Sequence, residues 1–172
     1  KPCLICLREA TEDIHYLLKA KDFKFRIGKD YYDFDIEDVR LKYERIQTWD
    51  EDIRYNIHHY LALNQENFQT YKQKESLWEK IQFVEDLLHI TIFATEMEAY
   101  LPIPIQVKIL DIKEEKFIEY KNVFHLTFSL NFKTNITIPD YVGIGKGISV
   151  GFGIVKRLGD NDKNTIIKNN HK

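Results

Sequence analysis

Hydrophobic and polar positions change period several times along this chain of 172 residues. Cys3 to Leu7 is an apolar, strand-like run. In Thr11 to Lys19, Ile14, Leu17 and Leu18 form one helical face, with Thr11 as N-cap and acids in the first turn. Phe23–Ile27 and Tyr31–Ile36 read as a hairpin turning at Gly28-Lys29-Asp30. Val39 to Ile46 alternates and predicts another strand. In Asp50 to Leu63 the apolar residues Ile53, Ile57, Tyr60 and Leu61 share a helical face that Asp50 can cap, so a helix is predicted.

Asn64 is placed to cap a short helix through Tyr71 and Lys72. Leu77, Ile81, Val84, Leu88 and Ile92 form a longer stripe, predicting a helix from Ser76 to about Glu96. Leu101-Pro-Ile-Pro104 ends it. Gln106–Ile112 and Lys116–Tyr120 predict two strands around a Lys113-Glu114-Glu115 turn. Val123 to Ile138 is one long strand pattern, and Gly151 to Leu158 another. Residues from Asp160 to Lys172 are polar and predict a frayed tail. Strands, then helices, then strands indicate an α+β fold.

The segment between the last two strands is unusual. Five of the seven glycines lie between Gly143 and Gly153. Glycine is favoured where φ is positive or where backbone approaches a ligand. A loop this rich in glycine, with Lys146 inside it, can offer backbone N–H groups to an anion such as phosphate. It is neither of two familiar phosphate motifs. A Walker loop needs Ser or Thr after Gly-Lys, but Gly145-Lys146 is followed by Gly147, and Asp140 stands where the first glycine belongs. A dinucleotide fingerprint starting at Gly143 and Gly145 would need glycine at Ile148. A plain hairpin loop without a ligand is the competing reading.

The stretch from Phe128 to Arg157 resembles the C-terminal glycine-rich loop of the RAMP superfamily. It runs Phe-Ser-Leu-Asn-Phe-Lys-Thr-Asn-Ile-Thr-Ile, then Pro139-Asp-Tyr-Val-Gly-Ile-Gly-Lys-Gly-Ile-Ser-Val-Gly-Phe-Gly-Ile-Val, then Lys156 and Arg157. Within that superfamily it is most similar to the CRISPR-associated repeat-processing endoribonuclease, CRISPR-associated protein six. Tyr60 to Tyr71 carries a second, weaker patch of the resemblance. The resemblance implies ferredoxin-like modules. The organisation expected is a partial N-terminal module with a helical segment in residues 1–100, a β-rich C-terminal module in 101–159 and a flexible tail in 160–172. It also implies a metal-independent ribonuclease that uses a histidine and leaves a 2′,3′-cyclic phosphate. Its partner would be CRISPR repeat RNA. RAMP modules also coat guide RNA without cutting it, so a non-catalytic RNA-binding subunit of an effector complex stays open. So do a homodimer and a third, blander reading, a β-rich protein-interaction domain.

Composition changes this picture little. Net charge is −2, but residues 101–172 hold 11 Lys and Arg against 7 Asp and Glu, while residues 1–100 hold 14 against 20. Phosphate affinity is set by local basic groups, and the glycine loop lies in the positive half. No apolar run is long enough for a membrane span and no signal peptide is visible. A cytoplasmic, membrane-free protein is expected. Cys3 and Cys6 form a C-x-x-C, but with no second pair they read as two buried strand thiols in a reducing compartment. The chain opens on Lys1 inside a strand-like run, so further residues are expected upstream.

RNA can be cut by its own 2′-OH if a base takes the hydroxyl proton, an acid protonates the leaving 5′-oxygen and cations meet the developing charge. Histidine suits the proton transfers, with an unperturbed pKa of about 6.5. Of the six histidines, His58 and His59 lie off the predicted apolar stripe and next to the second patch, and they rank first. Tyr60, Tyr71 and Lys72 are possible helpers and His89 is the runner-up. His15 reads as a surface residue, His125 as part of a strand and His171 as part of the tail. Adjacent His58 and His59 lack the i, i+4 spacing of helical zinc ligands, so no metal and no cofactor is expected. The residues expected to hold RNA are Tyr141, Gly143, Gly145, Lys146, Gly147, Ser149, Gly151, Phe152, Gly153, Lys156 and Arg157. Tyr141 and Phe152 are the candidates for stacking on unpaired bases.

Overall fold

A computed structural model of the chain describes Cys6 and residues 10–19, 24–33, 35–40, 42–95 and 101–159. The chain divides into two compact units, Lys1–Tyr43 and Glu44–Lys172. The first contains helix α1 (Ala10–Lys19) and a hairpin of β1 (Lys24–Ile27) and β2 (Asp30–Asp33). The hairpin turns at Gly28, whose φ is +65°, as the sequence predicts. Helix α1 begins before Thr11, which lies inside its first turn rather than at the cap. The strand expected at Val39–Ile46 is absent from the described residues there. Cys6 is a half-buried free thiol outside any strand. Cys3 and the tail from Asp160 lie outside the described residues.

The second unit contains β3 (Thr48–Tyr60), α2 (Gln65–Gln73), α3 (Leu77–Thr95), β4 (Val107–Tyr120), β5 (Val123–Ile136) and β6 (Ile154–Arg157). All four strands share one antiparallel sheet in the order β4-β5-β3-β6. This is the strand order of a ferredoxin-like β-α-β-β-α-β unit, with the α2–α3 pair as the first crossover. The second crossover, from β5 to β6, is the glycine loop, and it passes the end of β3. The expected α+β, ferredoxin-like antiparallel sheet with helices is therefore present, but the loop does not make a hairpin because β3 separates the strands it joins.

Local chemistry explains the boundaries. Asn64 accepts a hydrogen bond from the Asn67 N–H at 2.7 Å and caps α2 as predicted. Ser76 and Glu79 form a reciprocal capping box at the start of α3: the Glu79 N–H donates to Ser76 Oγ at 3.2 Å, and the Ser76 N–H to Glu79 Oε2 at 3.0 Å. At the β4–β5 turn Lys121 and Asn122 both have positive φ, +52° and +61°, as a two-residue hairpin with the right twist requires. One sheet face carries Tyr55, Ile57, Phe128, Leu130 and Phe132, which are fully buried together with Val84, Leu88 and Ile92 of α3. Each such side chain contributes roughly 1.5–3 kcal/mol through removal from water.

Two elements differ from the sequence reading. Asp50–Leu63 is not a helix, because Thr48–Tyr60 is the strand β3. Lys113-Glu114-Glu115 is not a turn, because β4 runs without a break from Val107 to Tyr120. Both errors have one cause. Bulges in β3 and β4 interrupt the two-residue period of the side chains.

Candidate RNA site at the end of strand β3

Ile57 pairs with Leu130 and Tyr60 with Phe128, so three steps along β3 match two along β5. The extra residue is a β-bulge, and His59 there has φ +48°. Ile57 and Tyr60 both remain in the core. His58 and His59, between them, share the opposite face. Their rings stand 4.0 Å apart, centroid to centroid, tilted by 38°.

That face is polar. Strand β5 presents Thr127, Ser129 and Asn131 to it, alternating with Phe128, Leu130 and Phe132 in the core. Ser129 sits between the histidines and links them: its Oγ accepts from the His59 N–H at 3.2 Å and lies 3.2 Å from His58 Nδ1. Glu114, opposite Ser129 on β4, brings Oε2 to 4.0 Å from His59 Nδ1. That nitrogen is buried and has no hydrogen-bond partner among the described residues. Burial holds the His59 pKa below the usual imidazole value; His58 and Lys116 push the same way and Glu114 opposes them. His59 is therefore neutral at pH 7. Further along the face, Asn56 donates to Asn131 Oδ1 at 2.9 Å, and Asn131 reaches Asp111 at 3.3 Å.

The glycine loop is tied directly to the histidines. The Gly153 N–H donates to the carbonyl oxygens of His58, at 3.0 Å, and His59, at 3.3 Å. Gly153 has φ +69°, and a Cβ there would run into the carbonyl oxygen of Ile144. Gly145, at φ +91°, lies so close to the Tyr60 ring that a Cβ would come within 2.9 Å of it. A short 3-10 turn, Ile148–Val150, follows Gly147. Lys146 and Ser149 are exposed on the loop, and Gly143 bridges to Ile154.

The predicted residues thus fall into groups. His58, His59 and the loop from Gly143 to Gly153 come together. Tyr141 is half exposed with φ +66°, whereas Phe152 is buried, its ring centre 5.7 Å from that of Tyr120 in a T-shaped contact. Gly147 packs on the Phe152 ring. Gly151 meets open space. Lys156 pairs with Asn56, and exposed Arg157 donates its N–H to Asp140. Tyr60 is a core residue: its hydroxyl lies 2.8 Å from Thr91 Oγ1, and burial raises its pKa to about 12. Tyr71 and Lys72 lie on α2, on the other side of the sheet. Tyr71 is buried against Phe128 and donates to Glu115 at 3.1 Å. Burial and the Glu115 carboxylate raise its pKa. His89 Nε2 lies 3.0 Å from the Ile105 carbonyl oxygen and ties α3 to the segment before β4.

Sequence reasoning missed Ser129, Glu114 and Lys116. The alternation of Val123–Ile136 marks Ser129 as a residue of the non-core face, but nothing in the sequence pairs it with the histidines.

Residues 47–158 match the family model of the Cas6b C-terminal domain. The chain belongs to this family. Solved structures described as Cas6b share its fold. One, described as Cas6b, has 26% sequence identity and a TM-score of 0.62, covering 67% of this chain and 68% of the other. Another, described as the CRISPR RNA processing endoribonuclease Cas6b, has 24% identity and a TM-score of 0.67, covering 84% and 71%. "Uncharacterized protein MJ0978" of Methanocaldococcus jannaschii is 31% identical over 124 residues, which is 70% of this chain and 82% of that protein. Among the described residues no helix is long and apolar enough to cross a membrane, and no three His, Cys, Asp or Glu side chains converge to hold a metal ion.

Proposed function

We propose that this chain binds CRISPR repeat RNA and cleaves it by attack of a 2′-OH on the adjacent phosphate, without a metal ion. The observation that carries this reading is the pair of hydrogen bonds from Gly153 to the His58 and His59 carbonyls. They join the glycine loop, with its exposed Lys146, to two imidazoles whose rings stand 4.0 Å apart. The solved relative described as a CRISPR RNA processing endoribonuclease supports the choice of substrate.

His59 is the base, because its neutral form is favoured. It takes the 2′-OH proton as O2′ bonds to phosphorus. The P–O5′ bond breaks, and His58, as the general acid, gives its Nε2 proton to the leaving oxygen. Ser129 orients the pair. Lys146 and Lys116 meet the charge that develops on the phosphate. The product ends in a 2′,3′-cyclic phosphate. Tyr141 is the residue placed to stack on an unpaired base, and Lys156 and Arg157 extend the cationic track.

Substitution tests this reading. His58→Ala and His59→Ala each lower cleavage by about 10²–10⁴-fold, the usual worth of general acid–base catalysis, with RNA affinity kept. Lys146→Ala weakens binding. If the wild-type chain binds repeat RNA tightly and never cuts it, the chain is a non-catalytic RNA-binding subunit instead.

A further inference from the structure

An open groove of about 430 Å³ lies between α2, α3 and the β4–β5 hairpin, on the sheet face away from the histidines. Its walls are unlike a core. Phe117 is 53% exposed although it meets Phe68 edge to face at 6.2 Å. Lys72 stands 5.4 Å from the centre of the Phe68 ring, and Lys80 5.4 Å from the centre of the Tyr71 ring. Both ammonium groups are thereby held at the groove. Glu115 Oε1 accepts from the Tyr71 hydroxyl, which fixes the carboxylate and leaves Oε2 to accept from a ligand. The groove therefore combines an exposed aromatic face, two placed cations and one oriented acceptor.

We infer that this groove is a subsite for one unpaired nucleotide of RNA whose base carries an exocyclic amino group, as cytosine does and uracil does not. The base stacks on Phe117. Its amino group donates to Glu115, the pairing that carboxylates make with cytosine N4. Lys72 and Lys80 take the flanking phosphates and offset the Glu115 charge. Glu114 and Glu115 are neighbours on β4. The first faces His59 and the second lines the groove, so the strand passes round the β4 edge between cleavage site and subsite. The inference rests on the RNA-binding reading above and gives that reading a base preference.

The test is equilibrium binding of the full chain to labelled repeat RNA, oligocytidylate, oligouridylate and a blunt RNA duplex. Wild type is compared with Phe117→Ala and Glu115→Gln, and folding is checked by circular dichroism. Wild type binds oligocytidylate more tightly than oligouridylate. Phe117→Ala weakens both single strands about tenfold, the order expected for one lost base–aromatic stack, and leaves the duplex unchanged. Glu115→Gln keeps a side-chain oxygen for Tyr71 but adds an N–H that can meet uracil O4, and it removes or reverses the preference. If wild type binds repeat RNA while both variants match it on every probe, the subsite is wrong and the RNA reading stands. If wild type binds no RNA at all, both fall.

Discussion

His59 combines a left-handed backbone, a buried Nδ1 and a neighbour that is also histidine. Positive φ outside glycine is uncommon, although histidine tolerates it better than most residues. The surrounding sheet holds it there, with Ser129 on its N–H and Gly153 on its carbonyl. Ser129→Ala removes the link to both histidines. Cleavage is expected to fall about fivefold, the worth of a hydrogen bond near 1 kcal/mol, with RNA affinity unchanged in a filter-binding assay. The lowered His59 pKa gives a second prediction. The unfolded chain takes up a proton near pH 6.5, and folded His59 resists it to lower pH. Stability is therefore present above about pH 6.5 and is lost as pH falls from there through the folded value. Urea unfolding at pH 7.5 and 5.5 checks the sign: wild type loses more stability between them than His59→Gln. The acid limb of the cleavage profile, which follows the base, lies below pH 6.5 for the same reason.

At the scale of elements, the strands that misled sequence reading are those with bulges. Ile53, Tyr55 and Ile57 alternate as a strand should. The extra residue at His58-His59 then moves Tyr60 out of step, so Ile53, Ile57, Tyr60 and Leu61 imitate a helical stripe. A bulge can be seen only against its partner strand, and β5 follows about 70 residues later. Helix α3 and strand β5 were legible because each keeps one period throughout. Asn64 was legible because a cap acts within three residues. The glycine loop announced itself by composition, but its place across the end of β3 depends on sheet order. Its glycines are not equivalent. Gly151 and Gly153 both have positive φ, but only Gly153 is boxed in by backbone. Gly151→Ala should cost about 1 kcal/mol for the left-handed conformation alone. Gly153→Ala should cost at least twice that and lower cleavage as well. Chemical denaturation of the two variants decides between equal and unequal cost.

Across the second unit, the ferredoxin-like sheet separates two kinds of surface. One face is closed by α3 over Tyr55, Ile57, Phe128 and Leu130. The other carries the polar row of β5 and, at its end, the histidine pair under the glycine loop. The net charge of −2 hides this arrangement, since phosphate responds to the groups beside it and not to the sum. The same topology explains why two stretches over 80 residues apart in sequence, His58-His59 and Gly143–Gly153, meet in the folded chain. The most direct measurement is incubation of the full chain with labelled repeat RNA in excess EDTA, beside RNAs carrying a single 2′-deoxy substitution at each position. The expected result is one cut, indifferent to chelator, abolished by the deoxy substitution immediately 5′ to it, and leaving a 2′,3′-cyclic phosphate. A cut that needs added metal, or one that survives every single deoxy substitution, would contradict it.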